Sequence, residues 1–345
     1  MDPTVQQAPV YAPPTYQQAP PPQAEAKPHR PMYKDPIVLG TVALVVILLT
    51  AVVIGAFMIA PINPWSYSDS QSNQNPDAKT LNLNFHTNVG QVNVMTLKIG
   101  DRNVLISVQG NGSYGMLGGS NTPVTFTFDN QTVGDTLTVD SAVNVDESAT
   151  ERSNVAVQIF VDPALKLNLN VTSSTGKVSF VADKPTTLGG LHLESATGEV
   201  EANLQGNVTI NGDISIKSST ADVNFRLSHD AIVGNRTIDL GSSTGSVAYD
   251  LTQTKAFNGN LHINAATSTG SVNVGLTVDG AVAAKITSYT GTFGGVKTNQ
   301  NNFQGNNTSL QTLNYPSTCN IEVNNTVGTG DININADYLT TLIYS

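Results

Sequence analysis

Cysteine is all but missing from this chain: Cys319 is the only one in 345 residues. That excludes an intrachain disulfide and leaves the fold to its core and its hydrogen-bond ladders. Charge is scarce too. Asp, Glu, Lys and Arg make up 12% of the residues and the net charge is −10; such a surface repels phosphate backbones, so no nucleic-acid partner is expected. Aromatic residues reach only 6%, with a single Trp. Helical periodicity is absent from everything after Pro61, and no Lys or Arg occurs between Lys34 and Lys79.

Three N-terminal segments differ from the rest. Residues 1–35 are rich in Pro, Gln, Ala and Tyr (APVYAPPTYQQAPPPQ). Too few large apolar residues are present to build a core, and the prolines block helix and sheet, so a disordered cytoplasmic tail is expected. It serves as a solvated spacer, or as a docking tail through Tyr11 and Tyr16. Residues 36–61 hold an unbroken apolar run, Ile37 to Ala60, with Thr41 and Thr50 as its only polar side chains. At about 1.5 Å rise per residue this matches a hydrocarbon core of about 30 Å, so an uncleaved transmembrane signal anchor is expected. Lys27, Arg30 and Lys34 precede it, which puts the N-terminus inside and the C-terminal domain outside. Trp65 and Tyr67 fall where rings favour the outer interface. Residues 62–80 read as a polar juxtamembrane linker.

Beyond this point the sequence alternates with period two, which indicates strands. Residues 81–163 predict a hairpin-rich region that caps the first repeat, since a bare first coil would expose apolar core and a sheet edge. From 164 to 345 one phrase returns: an alternating run, a Ser/Thr cluster, a Gly, another alternating run. Its corners fall at Gly176, Gly198, Ala221, Gly245 and Gly270, with steps of 22 to 25 residues. Gly291 is the next corner, and Gly90 marks an isolated first copy. This period predicts a β-solenoid in which each repeat is one coil. Glycine is expected at the bend for its access to positive φ, with the hydroxyls bonding freed backbone groups. An Asn-rich insertion near 296–313 reads as a loop between two coils. The fold class is therefore an all-β ectodomain, a parallel β-helix with an antiparallel β capping region, behind one transmembrane helix.

Several residues are candidates for chemistry. Asn-x-Ser/Thr sequons at Asn111, Asn130, Asn170, Asn207, Asn235, Asn306, Asn307 and Asn324 are potential glycan acceptors. His192 and His262 occupy matching phrases, but three coils at about 4.8 Å each separate them by ~14 Å, too far to share an ion. Asp331, in GTGDININAD, fits a tight turn better than a calcium-binding one. Glu194, Glu199 and Glu201 cluster at one corner, as in polysaccharide-cleaving β-helices. Aromatic platforms and basic partners are not evident beside them, which argues against an enzyme. Cys319 is expected to be a buried, inert thiol, with an intermolecular bridge as the alternative. No cofactor or metal motif is legible.

The run DTLTVDS from Asp135, then NVAVQIFVDPALKLNLNVTSSTGKVSF, ATGEVEANL and SSTADVNFRL, resembles the putative-adhesin family, also called auto-transporter adhesin head-like. The likeness rests on the Val161-Asp162-Pro163 bend and the serial corners, over most of 81–295. It implies a right-handed parallel β-helix outside the membrane, often behind one anchor helix, and no catalytic residue. Departures are the Thr in the corner motif, the Asn-rich insertion and the proline-rich tail. The expectation is a single-pass cell-surface protein for adhesion or envelope scaffolding, meeting envelope glycans or surface-layer proteins. Envelope sensing through the proline-rich tail is the alternative, and a polysaccharide-active enzyme a third.

Overall fold

The computed structural model describes residues 64–114, 123–146, 153–228 and 231–339, all strand, turn or irregular chain. The chain divides into Met1–Ala60 and Pro61–Ser345. The proline-rich tail and the 36–61 span lie outside the described residues. Among the described residues no helix is long and apolar enough to cross a membrane.

Strands begin at once. The first group is β1 (Pro64–Asn73), β2 (Thr80–Thr87), β3 (Gln91–Thr96), β4 (Val104–Ser113), β5 (Val124–Val133), β6 (Thr136–Val145) and β7 (Ser153–Val161). The repeats supply β8 (Lys166–Ser173), β9 (Val178–Ala182), β10 (Thr187–Ser195), β11 (Val200–Leu204), β12 (Thr209–Ile210) and β13 (Ile214–Ser218). They continue with β14 (Val223–Ser228), β15 (Ala231–Ile232), β16 (Arg236–Ser242), β17 (Val247–Gln253), β18 (Gly259–Thr269) and β19 (Val272–Asp279). The last group is β20 (Ala283–Phe293), β21 (Val296–Asn301), β22 (Gln304–Asn306), β23 (Ser309–Gln311), β24 (Cys319–Thr329) and β25 (Ile332–Leu339).

These strands form an 11-stranded and a 14-stranded sheet. Each repeat sends one strand to each sheet, two of them adding a short extra strand, β12 or β15, to the larger, and the corner joins the two sheets. Successive copies pair in parallel, so like positions stack. Val171, Leu193, Ile216, Leu240 and Ala265 form one inward column of the larger sheet. Phe180, Ala202, Phe225, Tyr249 and Val274 form one of the smaller. All ten are buried. Large and small side chains share this column, with Ala202 between Phe180 and Phe225 and Tyr249 next to Phe225, as close packing of a core allows. Each fully buried aliphatic or Phe side chain in such columns contributes about 1.5–3 kcal/mol to folding.

At both ends the stacking order departs from chain order. The β2/β3 coil lies between β6/β7 and β8/β9, because β2 pairs with β6 and β8 while β3 pairs with β7 and β9. At the other end β24/β25 lies between β18/β19 and β20/β21. Gly291 therefore does not follow Gly270 in the stack, contrary to the sequence expectation. A Cβ on Gly330 would run into the carbonyl of Gly270, whereas one on Gly291 would meet that of Gly328. Spacing along the chain cannot tell which of two equally patterned coils is the neighbour.

Two segments read as irregular are strands. The 62–80 linker contains β1, antiparallel to β4. Trp65 is buried in the core rather than placed at a lipid interface; a Cβ on Gly110 would lie 3.1 Å from its ring, so a small residue opposite makes room for the indole. The 296–313 insertion holds β21, parallel to β25, and the β22/β23 hairpin, whose second strand is antiparallel to β20. Its side chains are mostly exposed, so an edge strand of amides carries no apolar alternation to betray it.

Candidate functional site

The repeated corner is structural. Ser195 is fully buried; its hydroxyl donates to the Gly176 carbonyl of the preceding coil at 2.8 Å and accepts from its own Gly198 N–H at 2.8 Å. Ser218 does the same for Gly198 and Ala221, and Ser242 for Ala221 and Gly245. Ser173 and Thr267 donate to Gly90 and Gly245. Thr175, Thr197, Thr220 and Thr244 add a second ladder to carbonyls one coil back. Positive φ occurs at Gly90, Gly176 and Gly270, but not at Gly198, Gly245 or Gly291. At those three, glycine is required by the carbonyl pressed against it.

All eight sequon asparagines are exposed. Asn111, Asn130, Asn170 and Asn324 sit within β4, β5, β8 and β24, while Asn306 and Asn307 are at the β22/β23 turn. Asn207 takes positive φ. The Asn235 side chain accepts from Asn260 N–H at 2.9 Å, and that of Asn306 accepts from both Thr308 and Ser309 N–H.

The ionisable candidates are separated. His192 and His262 stand in different columns, since His192 is level with Ser215 and His262 with Thr237. Each has its own carboxylate, Glu194 and Glu322, both at 3.2 Å. The glutamate cluster splits between sheets. Glu194 lies on β10, whereas Glu199 and Glu201 share Lys177 at 3.3 and 2.8 Å. A basic partner is thus present after all, one coil away. Its bond to Glu201, joined by Glu199, holds Lys177 above the ordinary lysine range against the opposing effect of burial. Lys297 pairs with Asp331 and, with the Gly295 N–H, holds that carboxyl below its ordinary value. Among the described residues no group of three or more His, Cys, Asp or Glu could hold a metal ion. Cys319 is buried and free; burial pushes its thiol up, partly offset by the N–H of Phe257.

The site that sequence reasoning missed is a groove of about 760 Å³ on the outer face of the 11-stranded sheet. It crosses β11, β14, β17, β19, β25 and β21. Its floor drops where Ala248 and Gly275 replace longer outward side chains on neighbouring strands. Five asparagines stand along its walls. Asn333 donates to Asn273 at 2.9 Å and Asn299 to Asn335 at 3.1 Å, while Asn224 donates to Glu199 at 2.7 Å. Arg226 and Asp250 are direct cross-strand neighbours and exposed, yet no ion pair joins them among the described residues. The carboxylate of Asp250 leans over Gly275, where a Cβ would come within 2.8 Å of its Oδ1. The legible signal was the pair of small residues at outward positions in consecutive copies, SVAYDL and SVNVGL.

No protein-family model and no curated protein matches the chain. Among solved structures it is similar to a putative cell adhesion protein from Clostridium sporogenes, at 15% identity and TM-score 0.35, over 79% of this chain and 100% of that one. A putative adhesin from Bacteroides fragilis gives 13% identity and TM-score 0.29, over 78% and 97%. Another from Parabacteroides distasonis gives 13% and 0.31, over 80% and 97%. Likeness this distant leaves function to be argued from the site itself.

Proposed function

We propose that this chain is a membrane-anchored cell-surface β-solenoid that acts, without catalysis, in adhesion or envelope scaffolding through its external sheet faces. The groove over Ala248 and Gly275 carries this reading: an open channel across six stacked strands, edged by asparagine and charged side chains. Parallel pairing of like positions in successive copies supports the solenoid. The apolar run Ile37 to Ala60 behind Lys27, Arg30 and Lys34 supports an anchor with the N-terminus inside. Glu199 and Glu201, which share one corner, are tied to Lys177 and Asn224. Each amide contact is weak, but many copies on one cell add through multivalency. Exposed sequons would carry any glycans outward, away from the core.

Cells displaying the full-length chain are expected to attach to immobilised envelope glycans or surface-layer extract. A C-terminal tag should be reached by antibody on intact cells and an N-terminal tag should not. Attachment unchanged after removal of residues 64–345 would overturn the proposal.

A further inference from the structure

We propose that the groove over Ala248 and Gly275 binds a neutral, hydroxyl-rich polysaccharide laid along the stacking direction; this rests on the binding role above and names its ligand class. Charge is the first argument. The chain carries −10 overall, which disfavours an anionic polymer. Within the groove the ionisable side chains balance: Glu201 and Asp250 against Arg226 and Lys297. No excess of acid is left to attract a polycation.

Hydrogen-bonding character is the second. A hydroxyl both donates and accepts, and so does each side-chain amide of Asn224, Asn273, Asn299, Asn333 and Asn335. Lys177 already holds Glu201, and Lys297 is held by Asp331. Arg226 and Asp250 remain side by side as a donor-only and an acceptor-only group. Together they suit two neighbouring hydroxyls of one sugar ring.

Shape is the third. Six strands span five steps of about 4.8 Å, or ~24 Å, the reach of several sugar units rather than one small molecule. An extended peptide would draw its specificity from pockets for alternate side chains. Here the floor offers only the Ala248 methyl and Gly275, while Val274 and Ile334 are buried beneath. No aromatic ring is exposed along the groove, Tyr249 being buried with its hydroxyl on Asn325. Affinity per groove is therefore low, and length and multivalency supply the rest.

The test uses the full-length chain in detergent micelles, immobilised through its N-terminus. Dextran, mannan and galactan are the neutral probes, alginate the anionic one, and an extended asparagine-rich peptide the third class. At least one neutral polymer should be retained, and alginate and peptide should not. Arg226→Ala and Asp250→Ala should each weaken retention at least fivefold, and Ala248→Trp should abolish it. Lys217→Ala, on the other sheet, should change nothing. Should Ala248→Trp fail to fold, the two exposed charge variants decide. Retention of alginate or peptide instead, or equal loss with Lys217→Ala, overturns the proposal. If no neutral polymer binds but Ala248→Trp still stops cell attachment, the ligand class is wrong and the binding role stands. If attachment is also indifferent to Ala248→Trp and Lys217→Ala, both fall.

Discussion

Asn333 donates its side-chain amide to Asn273 at 2.9 Å, across 60 residues of chain. The coil carrying Asn333 is the last described one, yet it sits directly on the coil of Asn273, with β20/β21 outside it.

Truncation before Cys319 should therefore not simply shorten the stack. It removes the layer between β18/β19 and β20/β21, and β21 pairs with β25 alone among the described strands. Amide exchange in β20 and β21 is expected to accelerate towards that of an unstructured peptide, while β13 and β14 keep their protection, since stability in such arrays is nearest-neighbour. Undiminished protection of β21 in the truncated chain would refute the inserted layer.

The corner glycines should differ sharply from the turn glycines. A Cβ on Gly198 would overlap the Gly176 carbonyl, whereas Gly134, at φ 63°, has nothing within 4 Å of that position. Gly198→Ala is expected to cost about 3 kcal/mol by overpacking against backbone. Gly134→Ala should cost about 1 kcal/mol, from the left-handed conformation alone. Ala221→Gly, at a corner that already holds a methyl, should move stability by less than about 1 kcal/mol. Urea unfolding of the three variants gives the order, and equal costs for Gly198 and Gly134 would contradict it.

Ser195 satisfies two backbone groups at once. Ser195→Ala should strand both and cost about 1–3 kcal/mol. Thr197→Ala, whose 3.4 Å bond to Ser174 O is exposed, should cost less than about 0.5 kcal/mol because water replaces it. The two melting curves decide the matter.

Burial, and then the hydrogen bond to Glu322, push the Tyr315 phenol up to about 12. The folded chain holds that proton more tightly than the unfolded one, whose tyrosines titrate near pH ~10. The associated stabilisation is complete below pH ~10 and is lost as pH rises through about 12. Phenolate absorbance should show this tyrosine titrating late. Glu322→Gln should bring it down only part of the way, because burial is the larger cause. Tyr249, fully buried on Asn325, should ionise only on unfolding.

Much of the fold was legible because direction is a local property of a strand. In LNLNVTSSTG the alternation put Leu167, Leu169 and Val171 inside and Asn168 and Asn170 outside, and burial has that order. The Ser-Ser-Thr-Gly phrase announced a corner, although its glycine answers to a neighbouring carbonyl as often as to φ. Polar edges escaped notice. β1 and β21 lack a continuous apolar face, so Ser66 to Asn73 and Lys297 to Asn301 looked like linker and loop.

The sequence by itself determined which residues face inward, where the chain turns, and that successive copies are alike enough to stack. Tertiary structure alone decided which copies touch. Gly291 and Gly330 are equally good corners, and only the pairing of distant strands places Gly330 on Gly270. The same nonlocal pairing brings Ala248 beside Asn273, Gly275 beside Asp250 and Arg226 beside Asp250. A period of 22 to 25 residues sets spacing within a coil, but hydrogen bonds between coils are nearly indifferent to chain order, so the groove exists only once the layers are stacked.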